Sequence, residues 1–337
     1  MTVLVTGAAG FLGSHVVDLL IDQGAKPRAL VRPGDDARRL VAADADVRYA
    51  DLADPDTLAA VLEGVDRVLH CAARTGPWGP EHEYERTNVV GLERLVRAAV
   101  AEGVRRIVHV SSITVHGNDV RGEADETSPV RDERNPYSRS KVAGERLLQR
   151  LVRELGAPVT IVRPGWIYGP RDAASFARLA RMIECRRMFL IGAGDNHLPL
   201  IHVRDVARGV LAASEAATEP GRAYVLVNDE PVTQRQFLAA IAAELNVPAP
   251  SRRVPYGIAL TVGALSETVG RRTHRRQPPP LMRYGLQLLG GENRFVIRRA
   301  RRELGFKPAV GLADGVPDSL QWYRDRATVA TPSEVTA

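Results

Sequence analysis

A glycine-rich turn close to the N-terminus constrains the fold more than any other feature of this sequence. Residues 3–6 form a short β-branched run, and the segment TGAAGFLG that follows places Gly7, Gly10 and Gly13 at the start of a helical pattern. Gly7 allows a tight turn, Gly10 lets a pyrophosphate approach the backbone, and Gly13 allows close packing. The free N–H groups of the helix N-terminus favour an anion at the same place. We predict a dinucleotide-binding turn; the other interpretation is a tight turn without a ligand.

The first half of the chain alternates β-branched runs with helical patterns, which is typical of repeated βαβ units. We predict strands at Val3–Thr6, Arg28–Val31, Asp46–Tyr49, Arg67–His70, Arg106–Val110 and Pro158–Val162. The intervening helices end at glycines that can take a left-handed conformation: Gly24, Gly64, Gly103 and Gly156. The pattern predicts an α/β fold, a Rossmann doubly wound parallel sheet with a smaller C-terminal substrate-binding lobe. We expect residues 1–165 and 200–228 in the dinucleotide-binding domain, 166–199 and 229–326 in the lobe, and a disordered tail at 327–337.

Composition narrows the compartment and the partners. The 46 lysine and arginine residues include only three lysines, and the arginines are spread among acidic residues, so we expect no nucleic-acid partner. Cys71 and Cys185 are too few for a disulfide framework and lack metal-ligand spacing, so we expect no metal. The absence of a secretory signal pattern favours the cytoplasm. The apolar stretch Val254–Leu265 is shorter than the roughly 20 residues that span a bilayer, but the arginines that follow it leave a peripheral membrane contact open: Arg271, Arg272, Arg275 and Arg276.

The end of the second predicted strand indicates which dinucleotide would bind. Arg32 stands there, about 20 residues beyond the glycines, where a guanidinium would bind the 2′-phosphate of NADP. We therefore prefer NADP(H), with NAD(H) as the alternative, since Arg32 can be a solvated surface residue and Asp35 or Asp36 can serve NAD. Residues after the third and fourth strands would lie along the cofactor: Asp51, Leu52, Ala72 and Ala73.

A tyrosine and a lysine are candidates for the chemistry. Tyr137 and Lys141 open a helical pattern and lie one turn apart on the same face. An ammonium group beside a phenol favours phenolate, which would lower the tyrosine pKa from about 10 and make it a usable acid and base. Ser111 and Ser112 end the fifth strand, and Ser112 would bind the reacting oxygen. The alternatives are a solvated lysine and a serine that only caps a turn.

These motifs, in this order, resemble an extended short-chain dehydrogenase/reductase, of the NAD-dependent epimerase/dehydratase superfamily. The resemblance spans TGAAGFLG, HCAA, TNVVG, VSSITVHG, YSRSK, RPGWIYGPRD and IHVRDVA. It implies catalytic roles for Ser112, Tyr137 and Lys141, with Lys141 also binding the nicotinamide ribose. It implies cofactor contacts from Gly7, Gly10, Phe11, Leu12, Asn88, Ser111, Tyr137, Lys141, Pro164, Gly165 and Ile167. It also implies a homodimer through the helices Tyr84–Ala101 and Tyr137–Leu155.

Departures from the nucleotide-sugar pattern favour another branch of this superfamily. Leu198 stands where those enzymes carry a diphosphate-binding arginine, and Ile113-Thr114 stand where dehydratases place Asp-Glu. The chain more closely resembles the 3β-hydroxysteroid dehydrogenase-like and 2-alkyl-3-oxoalkanoate reductase group, which implies a ketone or secondary alcohol on an apolar skeleton. Candidate substrate residues are Thr75, Trp78, Trp166 and Phe176, the aromatic ones being equally compatible with plain core. A nucleotide-sugar epimerase or 4-ketoreductase and a non-catalytic NADP(H) sensor are the alternatives.

Overall fold

The computed structural model describes residues 1–120, 122–131 and 135–329. Its strands are β1 (Val3–Thr6), β2 (Arg28–Val31), β3 (Asp46–Tyr49), β4 (Arg67–His70), β5 (Arg106–Val110), β6 (Glu123–Ala124), β7 (Val159–Pro164), β8 (Trp166–Tyr168), β9 (Leu190–Ile191), β10 (His197–Leu198), β11 (Leu200–His202), β12 (Ala223–Leu226), β13 (Val232–Thr233), β14 (Arg253–Val254) and β15 (Arg294–Phe295). Its helices are α1 (Phe11–Asp22), α2 (Arg38–Ala42), α3 (Pro55–Leu62), α4 (Glu81–Glu85), α5 (Gly91–Ala101), α6 (Pro136–Leu155), α7 (Phe176–Glu184), α8 (Val203–Glu215), α9 (Gln234–Glu244), α10 (Tyr256–Arg272), α11 (Arg283–Gly290), α12 (Arg298–Leu304) and α13 (Leu312–Val329).

Seven parallel strands form the central sheet, in the order β12-β7-β5-β4-β1-β2-β3. The chain runs outward from β1 through β2 and β3, then returns to the other side of β1 and continues through β4, β5, β7 and β12. The predicted doubly wound parallel sheet is confirmed. Ligands of such sheets bind where the strand order reverses, which here is between β1 and β4.

Apolar side chains cover both faces of this sheet. On one face, residues of α1, α8 and α12 pack against the strands, and on the other face α3, α5 and α6 do so. The inner strands β1, β4 and β5 are buried nearly throughout, as the continuous β-branched runs predicted, whereas the edge strand β3 is partly exposed. The four glycines predicted to end helices, Gly24, Gly64, Gly103 and Gly156, all have positive φ angles between 63° and 78°.

A third apolar core holds the C-terminal lobe together and is built from α7, α9, α10, α11 and α13. The range 229–326, expected to belong wholly to the lobe, contains an exception: Phe295, Ala300 and Phe306 join the core of the sheet, with α12 packed against β12. The predicted tail began at residue 327, but α13 continues to Val329, and residues 330–337 lie outside the described residues.

Candidate active site

The glycine loop, residues 7–13, joins β1 to α1 at the point where the strand order reverses. Gly7 has a φ of 66°, and a Cβ at this position would lie 2.8 Å from the backbone of Ala72. A Cβ at Gly13 would overlap the carbonyl oxygen of Gly7. Within the described part of the chain no side chain caps α1, whose N-cap residue is the exposed Gly10. The loop therefore presents bare backbone and free N–H groups, which fit a dinucleotide pyrophosphate.

Asn88 anchors the loop that follows β4 to helix α6. Its side-chain oxygen accepts a hydrogen bond from the Arg74 backbone N–H at 2.8 Å, while its Nδ2 donates to the Arg74 carbonyl at 3.0 Å and to Ser140 Oγ at 2.8 Å. Asn88 is buried in a π-helical turn, Arg86–Val90, and such turns are frequent at functional sites. The sequence analysis assigned Asn88 to the cofactor cleft. In the structure, Asn88 holds in place the loop that borders this cleft.

Asn135 and Pro136 begin α6 directly before Tyr137. The Asn135 side-chain oxygen accepts a hydrogen bond from the Ser138 backbone N–H at 2.9 Å, and Pro136 occupies the first helical turn, where a missing N–H has no helical partner to lose. Tyr137 is thereby fixed in the first turn, with Lys141 one turn further along the same face. The Lys141 Nζ lies 5.9 Å from the centre of the Tyr137 ring.

The structure brings the Ser112 hydroxyl close to the Tyr137 phenol. Burial raises the pKa of Tyr137 to about 12, and the neighbouring Ser112 hydroxyl opposes this shift. The sequence predicts a pKa that Lys141 lowers below its ordinary value; in the structure the net shift is upward, because burial is the largest influence on the phenol. Ser112 Oγ also accepts a hydrogen bond from the Thr114 backbone N–H at 3.2 Å, so the capping role considered for this serine holds as well. Tyr137 keeps its proton at neutral pH.

Lys141 is almost completely buried, with 3% of its surface exposed. Its Nζ donates a hydrogen bond to the Val110 carbonyl at 2.8 Å. Burial lowers the pKa of Lys141 to about 8, while Glu145 and Cys71 act in the opposite direction. The side chain is therefore an ammonium at neutral pH, held where it loses its proton more easily than an ordinary lysine.

Two buried histidines lie at the carboxyl ends of β4 and β5 and are affected by the charge of Lys141. His70 and His109 are register partners, and their ring centres are 5.2 Å apart. Burial, reinforced by Lys141, lowers the pKa of His70 to about 3 and holds the pKa of His109 well below its ordinary value. Both rings are neutral at pH 7, so they add no positive charge beside Lys141.

Ser111 points into a buried ionic network. Its Oγ donates a hydrogen bond to Glu145 Oε1 at 2.5 Å, and Glu145 forms an ion pair with Arg163 at 2.6 Å. Both charged side chains are less than a tenth exposed. The sequence analysis assigned Ser111 to cofactor binding. In the structure its hydroxyl is hydrogen-bonded to Glu145, which lies one turn after Lys141 on α6.

The residues predicted to select the dinucleotide lie at the ends of β2 and β3. Arg32 is 68% exposed and forms an ion pair with Asp35 at 2.9 Å, so the residues of the two cofactor alternatives are in contact. Asp51 follows β3 and forms an ion pair with Arg86 at 3.2 Å, and Leu52 is buried.

The remaining predicted cofactor residues lie around the same crevice. Phe11 and Leu12 form the first turn of α1, and Ala72 and Ala73 follow β4. Pro164 ends β7, and Ile167 lies in β8, paired with Ile201 of β11. A Cβ at Gly165 would overlap the carbonyl oxygen of Pro199, so the chain passes very close to the β10–β11 connection here.

The four candidate substrate residues occupy different surroundings. Thr75 is exposed, and Trp78 is half-buried, with its indole N–H donating to the Arg275 carbonyl at 3.0 Å. Trp166 is half-buried against Phe237, with ring centres 5.9 Å apart. Phe176 is 1% exposed in the core of the lobe, which is a core position rather than a pocket lining.

Three further residues belong near this site and were missed by the sequence reasoning. Tyr284 of α11 packs edge-to-face on Tyr137, with ring centres 6.4 Å apart. The Thr114 hydroxyl and the Asn118 amide are buried without a hydrogen-bond partner in the described part of the chain, an arrangement that costs free energy unless a ligand or water supplies one. The signal for Thr114 and Asn118 was their place just after Ser112, whereas Tyr284 lies 147 positions from Tyr137 along the chain and only tertiary packing brings the two together.

Comparison with known proteins decides the family. Residues 3–226 match the NAD dependent epimerase/dehydratase family. The chain belongs to this family. Over 94% of its length it is 30% identical to the 2-alkyl-3-oxoalkanoate reductase of Stenotrophomonas maltophilia (strain K279a), covering 97% of that protein. It is also 30% identical to the 3 beta-hydroxysteroid dehydrogenase/Delta 5→4-isomerase of Mycobacterium tuberculosis (strain H37Rv), covering 95% of this chain and 90% of that one.

The solved structures agree with this placement of the epimerase/dehydratase-family chain. The crystal structure of gox2253 superimposes with a TM-score of 0.82 at 31% identity, covering 96% of this chain and 98% of that one. The family match and the relatives named as a reductase and a dehydrogenase confirm the extended short-chain dehydrogenase/reductase resemblance and the assignment as an oxidoreductase. No helix among the described residues is long and apolar enough to cross a membrane.

Proposed function

We propose that this protein is an NAD(P)H-dependent ketoreductase that acts on an apolar ketone or, in reverse, on the corresponding secondary alcohol. The observation that carries the proposal is a group of three side chains at the crevice: a protonated Tyr137, the Ser112 hydroxyl close to it, and the Lys141 ammonium 5.9 Å from the centre of the tyrosine ring. A neutral phenol is a proton donor, which is what the reduction of a carbonyl requires.

The residues of this chain fit a dinucleotide, which supplies a hydride when bound. The glycine loop would hold the pyrophosphate, and Arg32 and Asp51 would meet the adenosine end. We propose NADP(H) as the preferred form. The exposed Arg32 guanidinium can leave its ion pair with Asp35 and bind the 2′-phosphate of NADP(H) instead. Lys141 would bind the nicotinamide ribose.

In this proposal Tyr137 and Ser112 act on the substrate oxygen. Tyr137 gives its phenolic proton to that oxygen as the carbonyl becomes a carbinol, and Ser112 donates a hydrogen bond to the same atom. The Lys141 ammonium stabilises the phenolate that Tyr137 leaves behind, since a positive charge nearby favours the charged form. The high pKa of Tyr137 in the free protein makes proton return from solvent favourable.

The surroundings support an apolar substrate. Leu198, at the position of the nucleotide-sugar arginine, is buried in the core of the lobe and offers no charge to a diphosphate. Trp78, Trp166 and Tyr284 provide aromatic surface near the crevice. The Thr114 hydroxyl and the Asn118 amide, which have no partner in the described part of the chain, provide a few polar contacts. Apolar walls with a few polar groups are typical of small-molecule sites.

The alternative from the same family is a nucleotide-sugar epimerase or 4-ketoreductase. A substrate diphosphate would then need positive charge near Leu198. A rise in melting temperature with UDP or dTDP would favour this alternative, and a response to NADP(H) with no turnover of any carbonyl would favour a sensor.

A substrate screen tests the proposal. NADPH and NADH consumption is followed at 340 nm with β-keto esters, 3-ketosteroids and nucleotide 4-keto sugars, each with wild-type protein and with Tyr137→Phe. We expect turnover with one of the first two classes and its loss in the variant. Turnover confined to the nucleotide sugars would refute the apolar substrate.

We further propose a homodimer in the cytoplasm, formed through the helical stretch 84–101 and α6. Val90 and Leu155 are partly exposed apolar side chains on these elements. Both cysteines are free, which is compatible with a reducing compartment. Light scattering with Val90→Glu tests the dimer, which the added charge should dissociate.

A further inference from the structure

Helix α10 presents an apolar stripe to solvent. Its outward residues include Ile258, Val262, Leu265 and Val269, which are 57%, 43%, 61% and 58% exposed. Ten large hydrophobic residues are exposed in the described part of the chain. Four of the ten are these residues, which lie on one face of α10 because they are spaced by four, three and four residues. Scattered exposed apolar residues are ordinary, but a continuous stripe marks an interaction surface.

The polar groups of α10 are withdrawn from this face. Thr261, Thr268 and Thr273 each donate their hydroxyl to a carbonyl one turn earlier in the helix, at 2.8 to 2.9 Å. The single acidic residue of the helix, Glu267, is 5% exposed on the opposite side and is paired with Arg283 of α11 at 2.8 Å. From Tyr256 to Val269 the exposed face therefore carries no charge, and its two threonine hydroxyls, those of Thr261 and Thr268, are bonded within the helix.

Arginines flank the stripe at both ends. Arg252 and Arg253 precede the helix, and Arg271, Arg272, Arg275 and Arg276 end or follow it; all are exposed. Within the described ranges none of these six forms an ion pair, although most arginines elsewhere on the surface do. An apolar face with basic residues at its ends is complementary to an anionic bilayer surface: the apolar residues enter the acyl boundary and the guanidinium groups reach the phosphates.

We propose that α10 docks this protein on anionic lipid membranes, lying in the plane of the interface. At 17 residues α10 is too short to span a bilayer upright, but its length suits a helix lying along the surface.

The docking surface is close to the active site. Gly263 packs against Leu286 of α11, the helix that places Tyr284 on Tyr137. At the other end, Gly270 leaves room for the Trp78 ring, in the loop that follows β4. A membrane under α10 would therefore lie one helix away from the crevice, where an apolar substrate dissolved in lipid could reach it.

Vesicle flotation with the full chain, without substrate or cofactor, tests the docking independently of the reaction. The vesicles contain phosphatidylcholine alone or with roughly a third phosphatidylglycerol. We expect binding to the anionic vesicles that weakens as salt is raised. The variant Val262→Glu/Leu265→Glu should bind at least about tenfold more weakly, and Arg271→Ser/Arg272→Ser roughly 25-fold more weakly, at about fivefold for each arginine.

Val41→Glu is the matched control, because Val41 is 62% exposed on α2 and belongs to no stripe. It should bind as the wild type does, and all variants should keep the wild-type melting temperature, since the changed side chains are exposed. Absence of binding to anionic vesicles, or equal binding by the double glutamate variant, would overturn the proposal. A fall in molar mass of the double glutamate variant in solution would also overturn it, since the stripe would then be a contact between copies of this chain.

Discussion

Replacing Lys141 with methionine should stabilise the protein while abolishing its activity. Lys141 is 3% exposed, and burial lowers its pKa from 10.5 to about 8. The folded protein therefore carries a charge at neutral pH that its surroundings disfavour. Methionine has a similar length and no charge, so Lys141→Met removes this cost.

The magnitude follows from the pKa of Lys141. At about 1.4 kcal/mol for each pKa unit, the buried ammonium costs about 3 kcal/mol at pH 7. Loss of the hydrogen bond to the Val110 carbonyl destabilises the variant by about 1 kcal/mol. The variant should therefore be more stable than the wild type by about 2 kcal/mol at pH 7. Between pH 8 and 10.5 the unfolded wild type binds more protons than the folded form, so wild-type stability rises with pH in this window. The advantage of the variant should therefore shrink by about 2 to 3 kcal/mol between pH 7 and pH 10.

Urea unfolding of both proteins at several pH values between 7 and 10 measures this difference. Groups away from Lys141 that titrate in the same range are shared by both proteins and cancel in the comparison. Cys71 does interact with Lys141, but burial raises its pKa to about 12, above this window. Lys26→Met is the matched control, because Lys26 is 59% exposed in a surface pair with Asp44 and should change stability little at any pH. A Lys141→Met variant that is less stable at pH 7, or an advantage independent of pH, would refute the reasoning about the buried ammonium.

Substitutions at three further positions, two of them with control variants, test the crevice. Arg32→Asp should shift the ratio of kcat/KM for NADPH over NADH toward NADH; an unchanged ratio would show that Arg32 does not contact the 2′-phosphate. Gly13→Ala should lower stability by about 1 to 3 kcal/mol and weaken dinucleotide binding, because its methyl group would overlap the Gly7 carbonyl, whereas Gly285→Ala, in open space, should do neither. Ser112→Ala should lower stability by about 1 kcal/mol, because the turn cap is lost, and should remove most of the turnover. Ser112→Thr should keep the wild-type stability and turnover. A fully active alanine variant would contradict the role of the hydroxyl.

The sheet was predictable because its signals are local. Four of the β-branched runs follow a glycine with a positive φ, namely Gly24, Gly64, Gly103 or Gly156, and these turns can be recognised from neighbouring residues alone. The order of Gly7, Ser112 and Tyr137 along the chain already implied one crevice. The parallel sheet then follows from chain connectivity, since βαβ units have one favoured hand.

Features that depend on tertiary packing were not predictable in this way. Phe295 and Phe306 pack on the sheet although their neighbours in sequence belong to the lobe. The direction of the Tyr137 pKa depends on how deeply the phenol is buried, which no spacing reveals. Tyr284 meets Tyr137 only because α11 docks over the crevice. The tight turns could be predicted from the sequence, whereas the burial of Tyr137 and its contact with Tyr284 could not.

Transfer of deuterium to a ketone from NADPH that carries two deuterium atoms at C4, compared between wild type and Tyr137→Phe, tests most directly whether Tyr137 protonates the substrate during reduction. With the ketone found in the screen, the wild type should place one deuterium on the carbinol carbon for each NADPH consumed. The variant should bind NADPH within about twofold of the wild type but turn over on the order of 10²- to 10⁴-fold more slowly. Wild-type turnover by the phenylalanine variant, or a carbinol without deuterium, would contradict the assignment of Tyr137 as the proton donor in a reductase.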